Sequence, residues 1–208
     1  MNIITISREF GSGGRELGKR VAEILGMEYY DKEIISAIAN KQGMDEKYVE
    51  SASNGQGWRG MALTTRRSFA YLNAGNTATI HILLKEKRAL EAIAALKKDC
   101  VIVGRNADVI LAKEQPFNVF VCADMRTKIR RCEEGAEGNE QLSKKEIERN
   151  IKTIDKNRAK NRELIGGNVW GARENYHLVV NTSDWDMEDL AVAVADFAKK
   201  WFARTERD

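Results

Sequence analysis

The sequence predicts an α/β fold, a mainly parallel sheet covered by helices on both faces. Three observations carry that expectation. Short β-rich apolar runs recur along the chain, "NIITIS", "CVIV" and "FNVFVC", and they are continuous rather than alternating, as in strands buried on both faces. Amphipathic stretches long enough for helices separate them. Helix-start residues stand at the junctions, Asp31, Asp124 and Asp186 as single caps and Ser143 with Glu146 as a capping box. In such sheets ligands bind at the carboxyl ends of the strands.

Taken in order, "NIITIS" is the first strand, and the segment after it places Leu17, Val21, Ile24 and Leu25 on one helical face. "MEYYD" is a short second strand ending at Asp31, which caps "KEIISAIANKQG", a helix closed by Gly43. Residues 45 to 76 read as loops around one or two short helices. From Thr77 to Lys98 the spacing of Ile80, Leu83, Leu84, Leu90, Ile93 and Leu96 predicts a long helix feeding "CVIV". "FNVFVCAD" follows, with Asp124 capping "MRTKIRRCEE"; a helix from about 144 to 165 opens at the capping box; "YHLVVNT" is the last strand, and Asp186 caps a helix through Phe202.

With 208 residues, the chain suits one domain, and its apolar and charged fractions are those of a folded protein rather than a disordered or fibrous one. No run is long enough to span a membrane and the start lacks a secretory pattern, so no membrane partner and a cytoplasmic setting are expected. Cys100, Cys122 and Cys132 are odd in number, which points to reduced thiols. His81 and His177 lack companions at metal-ligand spacing, so each is expected to be structural and no metal site is implied. The oligomeric state is left open.

The richest segment is "ISREFGSGGRELG". A literal G-x-x-x-x-G-K runs from Gly13 to Lys19, but that register would start the helix near Gly18 and waste the apolar face beginning at Leu17. The better register puts Gly11, Ser12, Gly13 and Gly14 in the turn, with the helix starting near Arg15. Backbone amides and the helix dipole then face an anion. The lysine usual in such loops is missing, and Arg8 or Arg15 is the candidate cation, since guanidinium binds phosphate bidentately. A dinucleotide site is the competing reading, with Asp31 at the distance of a ribose-binding acid, but Glu16 occupies the third small position of that fingerprint.

A second cationic feature is "ERNIKTIDKNRAKNRE", where six basic residues from Arg149 to Arg162 surround one acid, Asp155. Asp155, Arg158 and Arg162 share a helix face that could clamp polyphosphate, with Asp155 orienting an arginine. A solvated basic helix and nucleic-acid binding are the other readings, and the stretch has no aromatic residue to stack bases. Arg105 should emerge at the carboxyl edge of the sheet after "CVIV", either as a ligand group or paired with Asp108. Arg126, Arg130 and Arg131 follow the next strand, the first two on one face.

With these pieces in place, the chain resembles the cytidylate kinase-like family, relatives of the bacterial cytidylate kinases among the P-loop nucleoside monophosphate kinases. The resemblance runs nearly end to end through "ISREFGSGGRELG", "YYDKEII", "VIVGRNAD", "VFVCAD", "IDKNRAKNRE" and "WGARENYHLVVNT". It implies a P-loop NTPase-type three-layer fold with a five-stranded, mainly parallel sheet in a single domain, residues 43–76 forming an acceptor-binding insertion and 135–165 a helical lid. Gly11 to Arg15 match the phosphate loop; Asp31 and Arg105, joined by Arg130, the acceptor side; Asp155, Arg158 and Arg162 the lid. The implied activity is transfer of the ATP γ-phosphoryl group to a nucleoside monophosphate such as CMP, assisted by magnesium brought with ATP. The chain departs from true cytidylate kinases at Gly14 and Arg15, where they have Lys then Ser or Thr, and at Asn106, where they have an acid. Loss of the hydroxyl and the acid weakens the case for ordinary magnesium coordination. A non-catalytic nucleotide sensor of the same fold is the alternative expectation.

Overall fold

The computed structural model describes residues 1–40, 76–135 and 142–205. Five strands, β1 (Ile3–Arg8), β2 (Glu28–Tyr30), β3 (Cys100–Val103), β4 (Phe117–Cys122) and β5 (Leu178–Asn181), form one sheet in the order β2-β3-β1-β4-β5. Every pairing is parallel, with β1 between β3 and β4, Ile4 level with Val101 and Phe117. The described helices are α1 (Gly14–Leu25), α2 (Lys32–Asn40), α3 (Asn76–Ala95), α4 (Ala107–Ile110), α5 (Met125–Glu134), α6 (Lys144–Leu164) and α7 (Met187–Thr205). The expected three-layer α/β architecture is present, and the strand at "CVIV" has the expected limits.

Alternation along the strands divides the core. Ile4, Ile6, Val101, Val103, Val119 and Val121 face α1 and α7, where Leu17, Val21, Val194 and Ala195 meet them. Ile3, Cys100 and Ile102 face α2 and α3, against Ile35, Ile38, Leu90 and Ile93. A third cluster joins Phe10, just after β1, to Cys132 of α5 and to Ile147, Ile151 and Ile154 of α6. Burying a side chain such as Phe10 is worth about 1.5 to 3 kcal/mol, so α6 is fastened to the turn that leaves β1.

The helix starts follow the sequence. Asp31 Oδ1 accepts from the Glu33 and Ile34 amides, Asp124 from the Thr127 amide at 2.6 Å, and Ser143 and Glu146 form the capping box. Gly26 ends α1 in the left-handed conformation. Gly18 lies inside α1, where a Cβ would come within 2.7 Å of Val103 Cγ2, which excludes the register that made it part of a phosphate loop.

The apolar faces are narrower than periodicity predicts. Ile24, Ile80 and Leu84 are 42%, 47% and 54% exposed, because the sheet covers α1 only along Leu17, Gly18, Val21 and Ala22, and α3 is buried from Leu83 through Ala94 on one side. His177 is structural as expected: it stacks on Trp201 with ring centroids 4.2 Å apart and accepts the Asn118 amide. Cys100 and Cys132 are buried, Cys122 is half-buried, and all three are free thiols. Among the described residues no helix is long and apolar enough to cross a membrane. The expected close of α2 at Gly43 and nearly all of the 43–76 insertion lie outside the described residues, as do 136–141 of the 135–165 lid.

Candidate functional site

The carboxyl ends of β1, β3 and β4 meet the start of α1, and the turn between β1 and α1 is the centre of the site. Gly13 precedes the helix at φ +78°, a left-handed position that glycine occupies at little steric cost, and no side chain caps the first turn. Leu17 N–H is the first to bond back, to the Gly13 carbonyl at 2.9 Å. The amides of Gly13, Gly14, Arg15 and Glu16 meet no protein acceptor among the described residues. Four such donors with the positive end of the helix dipole form the arrangement that favours an anion. Below them Ser12 is fully buried, its Oγ donating to the Glu9 carbonyl at 2.8 Å.

Arg8 ends β1 beside this turn. Its guanidinium lies across Gly104, where any Cβ would overlap Nη1, and forms no hydrogen bond or ion pair among the described residues. Gly104, Arg105 and Asn106 follow β3 at φ +83°, +57° and +54°. That left-handed run costs energy at Arg105, and it turns the Arg105 side chain toward α2 and α3 while leaving the face of Gly104 to Arg8. Burial, and then the guanidiniums of Arg158 and Arg105, bring Arg8 down to about 9. Burial, followed by Arg105, Arg8 and Arg158, brings Lys32 down to about 8 despite Glu86. Arg8, Lys32, Arg105 and Arg158 thus repel one another in one place, and a bound anion would relieve all four.

The structure places the predicted residues unevenly. Arg15 is turned away from the helix N-terminus: Nη2 pairs with Asp31 at 2.6 Å and with Glu33, and Nη1 reaches Glu33 Oε1 at 3.4 Å. Burial opposes its charge, but Asp31 and Glu33 outweigh it and raise the pKa. The position expected to supply the cation of the loop is therefore already engaged, as is Asp31. Arg105 does emerge at the carboxyl edge, yet its partner is Glu86 at 2.6 Å, with Ser36 Oγ at 3.2 Å, rather than Asp108. Arg130 is exposed and reaches Glu134 one turn along its own helix, away from Arg105 and Asp31.

The helix α6, expected to be the lid, is docked through Asp155 and Arg158. Asp155 Oδ1 accepts the Phe10 amide at 2.8 Å, and Arg158 Nη1 donates to the Arg8 carbonyl at 2.7 Å and to Asp155 at 3.1 Å. Asp155 does hold Arg158, as its spacing suggested. Burial raises Asp155 and lowers Arg158, so both charges depend on this contact. Arg162 lies elsewhere: nearly buried, it pairs with Asp108 at 2.7 Å and donates to the Asn168 carbonyl, with its guanidinium over the Tyr176 ring. One helix turn separates Arg158 from Arg162, yet the first meets the end of β1 and the second meets Asp108 of α4.

A family model for the cytidylate kinase-like family matches residues 3–184. The chain belongs to the cytidylate kinase-like family. Solved structures share the fold: an uncharacterized protein from Eubacterium ventriosum is 22% identical with a TM-score of 0.69, covering 96% of this chain and 99% of that one. A shikimate kinase from Acinetobacter baumannii in complex with shikimate is 16% identical, with a TM-score of 0.53 and coverage of 96% and 94%. A shikimate kinase from Bacteroides thetaiotaomicron is 13% identical, with a TM-score of 0.54 and coverage of 95% and 98%. No curated protein matches the chain.

The donor set falls short of what a magnesium ion requires. A magnesium ion held by the protein needs oxygen ligands, but Arg15 and Asn106 stand where a hydroxyl and an acid are expected, and Asp31, Glu33, Glu86 and Asp155 are each paired with an arginine. These residues do not fit a protein-held magnesium. The sequence reading passed over three further groups at the site. Lys32 stood only as the first residue after a helix cap, Glu86 as one charge on a long helix, and Arg131 as one of three arginines after β4. The lowered pKa of Lys32 and the long-range partners of the other two arise from folding.

Proposed function

We propose that this chain is a nucleotide kinase that transfers the γ-phosphoryl group of ATP to a nucleoside monophosphate such as CMP. The observation that carries the reading is the row of amides from Gly13 to Glu16, which meet no protein acceptor among the described residues, beside an arginine, Arg8, held in a cluster of like charges. Amides and helix dipole would hold the donor phosphates, and Arg8 would take the place of the absent lysine, because Arg15 is committed to Asp31 and Glu33. Arg105 and Lys32, on the α2 side, would receive the acceptor phosphate, and Arg158, docked on Arg8, would close the donor side.

An oxygen of the acceptor phosphate attacks the γ-phosphorus in line; the bond to the bridging oxygen breaks, and ADP leaves with the electron pair. No protein nucleophile takes part. Positioning and positive charge supply the rate enhancement, and α6 keeps water from the donor. Magnesium would be carried by the nucleotide phosphates and water. The reaction belongs in the cytoplasm, where both nucleotides are available.

A non-catalytic nucleotide sensor is the second reading, favoured by the donor set that does not fit magnesium. The polynucleotide reading loses support because Arg158 and Arg162 of the basic helix point inward to partners and Lys152 pairs with Glu148. The deciding experiment measures ADP release from ATP with each nucleoside monophosphate in turn, CMP first, alongside ATP binding by calorimetry. Acceptor-dependent ADP release supports the kinase. ATP binding with no ADP release on any acceptor rejects it in favour of the sensor.

A further inference from the structure

We propose that Arg131 and Thr182 are positioning residues that aim the Gly13 amide hydrogen into the phosphate cradle. The inference rests on the nucleotide-binding reading above and concerns what fixes the loop. The Ser12 carbonyl accepts two hydrogen bonds, from Thr182 Oγ1 at 2.6 Å and from Arg131 Nη1 at 2.9 Å. The two donors are themselves joined, Arg131 Nη1 to Thr182 Oγ1 at 2.7 Å and Nη2 to the Thr182 carbonyl at 3.1 Å. Ser12 and Thr182 are both 0% exposed, so water does not compete for these bonds.

A trans peptide is planar, with its N–H opposite its C=O. Fixing the Ser12 carbonyl toward β5 and α5 therefore points the Gly13 N–H the other way, to the side where the amides of Gly14, Arg15 and Glu16 begin the helix. Nothing intrinsic to the turn would do this. Gly13 is glycine and populates either sign of φ, so the Ser12–Gly13 peptide can flip at little backbone cost. A flip would replace a donor by a carbonyl oxygen facing the phosphate. The side-chain pin makes one orientation the ground state, the preorganisation that electrostatic stabilisation requires.

Gly13 and the pin also depend on each other sterically. A Cβ at Gly13 would lie 3.1 Å from Arg131 Nη1 and 2.6 Å from Met187 Cε, so a side chain there displaces the guanidinium. The burial of Arg131 lowers its pKa, with Arg130 adding to the effect, and that cost is offset by three hydrogen bonds and by the nearby charges of Glu16, Glu134 and Asp124. Arg131 comes from α5 and Thr182 from the end of β5, which ties the loop to the half of the sheet away from the acceptor side.

The test compares ATP affinity by calorimetry, and the Gly13 amide by 15N-resolved NMR, in the wild type and in Thr182→Val, Thr182→Ser and Arg131→Met. Loss of a hydrogen bond to a charged phosphate predicts ATP binding weaker by about tenfold or more in Thr182→Val and Arg131→Met. The Gly13 resonance should then no longer move on ATP addition, and Thr182→Ser should restore both. Binding within about twofold of wild type in folded Thr182→Val, with the Gly13 shift retained, overturns the pin and leaves the cradle standing. A wild type that binds no ATP overturns the cradle, and the pin with it. Thr182→Val is nearly isosteric and decides the question if Arg131→Met does not fold.

Discussion

Replacing Arg8 by methionine should make the protein more stable and a poorer binder. The substitution keeps an unbranched stem across Gly104 and removes a charge that burial, Arg158 and Arg105 all oppose. The fall to about 9 from the ordinary guanidinium value measures the cost of holding that charge, and after solvent screening at this partly exposed group roughly 1 to 2 kcal/mol of it remains. The sign follows from linkage: a base whose pKa is depressed by folding destabilises the folded state at every pH below about 9, and its removal relieves that cost. At about 2 to 4 °C per kcal/mol for a chain of this size, the thermal midpoint should rise by roughly 3 to 6 °C. ATP affinity should fall by the value of a charge-assisted hydrogen bond, about 1.5 to 3 kcal/mol. Scanning calorimetry at pH 7 and titration with ATP read the two effects. A lower midpoint with unchanged ATP affinity would refute the reasoning and make Arg8 a structural residue.

Three further outcomes follow from the same geometry. Arg162→Met leaves Asp108 charged and buried, with one carboxylate oxygen already lacking a partner, so urea unfolding should show a loss of about 3 to 5 kcal/mol; a loss under about 1 kcal/mol would contradict the buried pair. Arg15→Gln should lower stability by about 1 to 2 kcal/mol, since it strips Asp31 and Glu33 of their partner, and leave ATP affinity within about threefold; a tenfold loss of affinity would return Arg15 to the cradle. Anion binding should raise the depressed values of Lys32 and Arg8 together. At pH 8.5, with Lys32 near 8 and Arg8 near 9, joint binding of ATP and CMP should take up about one proton, most of it at Lys32, and almost none at pH 6.5. Calorimetry in buffers of different ionisation enthalpy reads this, and equal uptake at both pH values would contradict it.

Features that depend on neighbours in the chain were legible. "CVIV" became β3, the caps at Asp31, Asp124 and Ser143 formed as read, and the glycine turn lay between β1 and α1 because the apolar face starting at Leu17 fixed where the helix begins. What the sequence hid is which charge meets which. Arg105 meets Glu86 rather than Asp108 because a left-handed run at 104–106 swings it toward α3, and Arg162, expected on the clamp face, takes Asp108 from more than fifty residues away. Arg15 looked like the cation of the loop by position, but the cap residue Asp31 folds back onto it. Arg131 sits one residue from exposed Arg130, and nothing local distinguishes a surface arginine from one that holds Ser12.

The most direct test is a crystal structure with ATP and CMP bound together. The account predicts a donor phosphate with oxygens about 3 Å from the amides of Gly13, Gly14 and Arg15, the Arg8 guanidinium on the same phosphates, and the CMP phosphate between Lys32 and Arg105. Nucleotide bound at another edge of the sheet, with those amides turned to solvent and Arg8 still lying across Gly104, would contradict it.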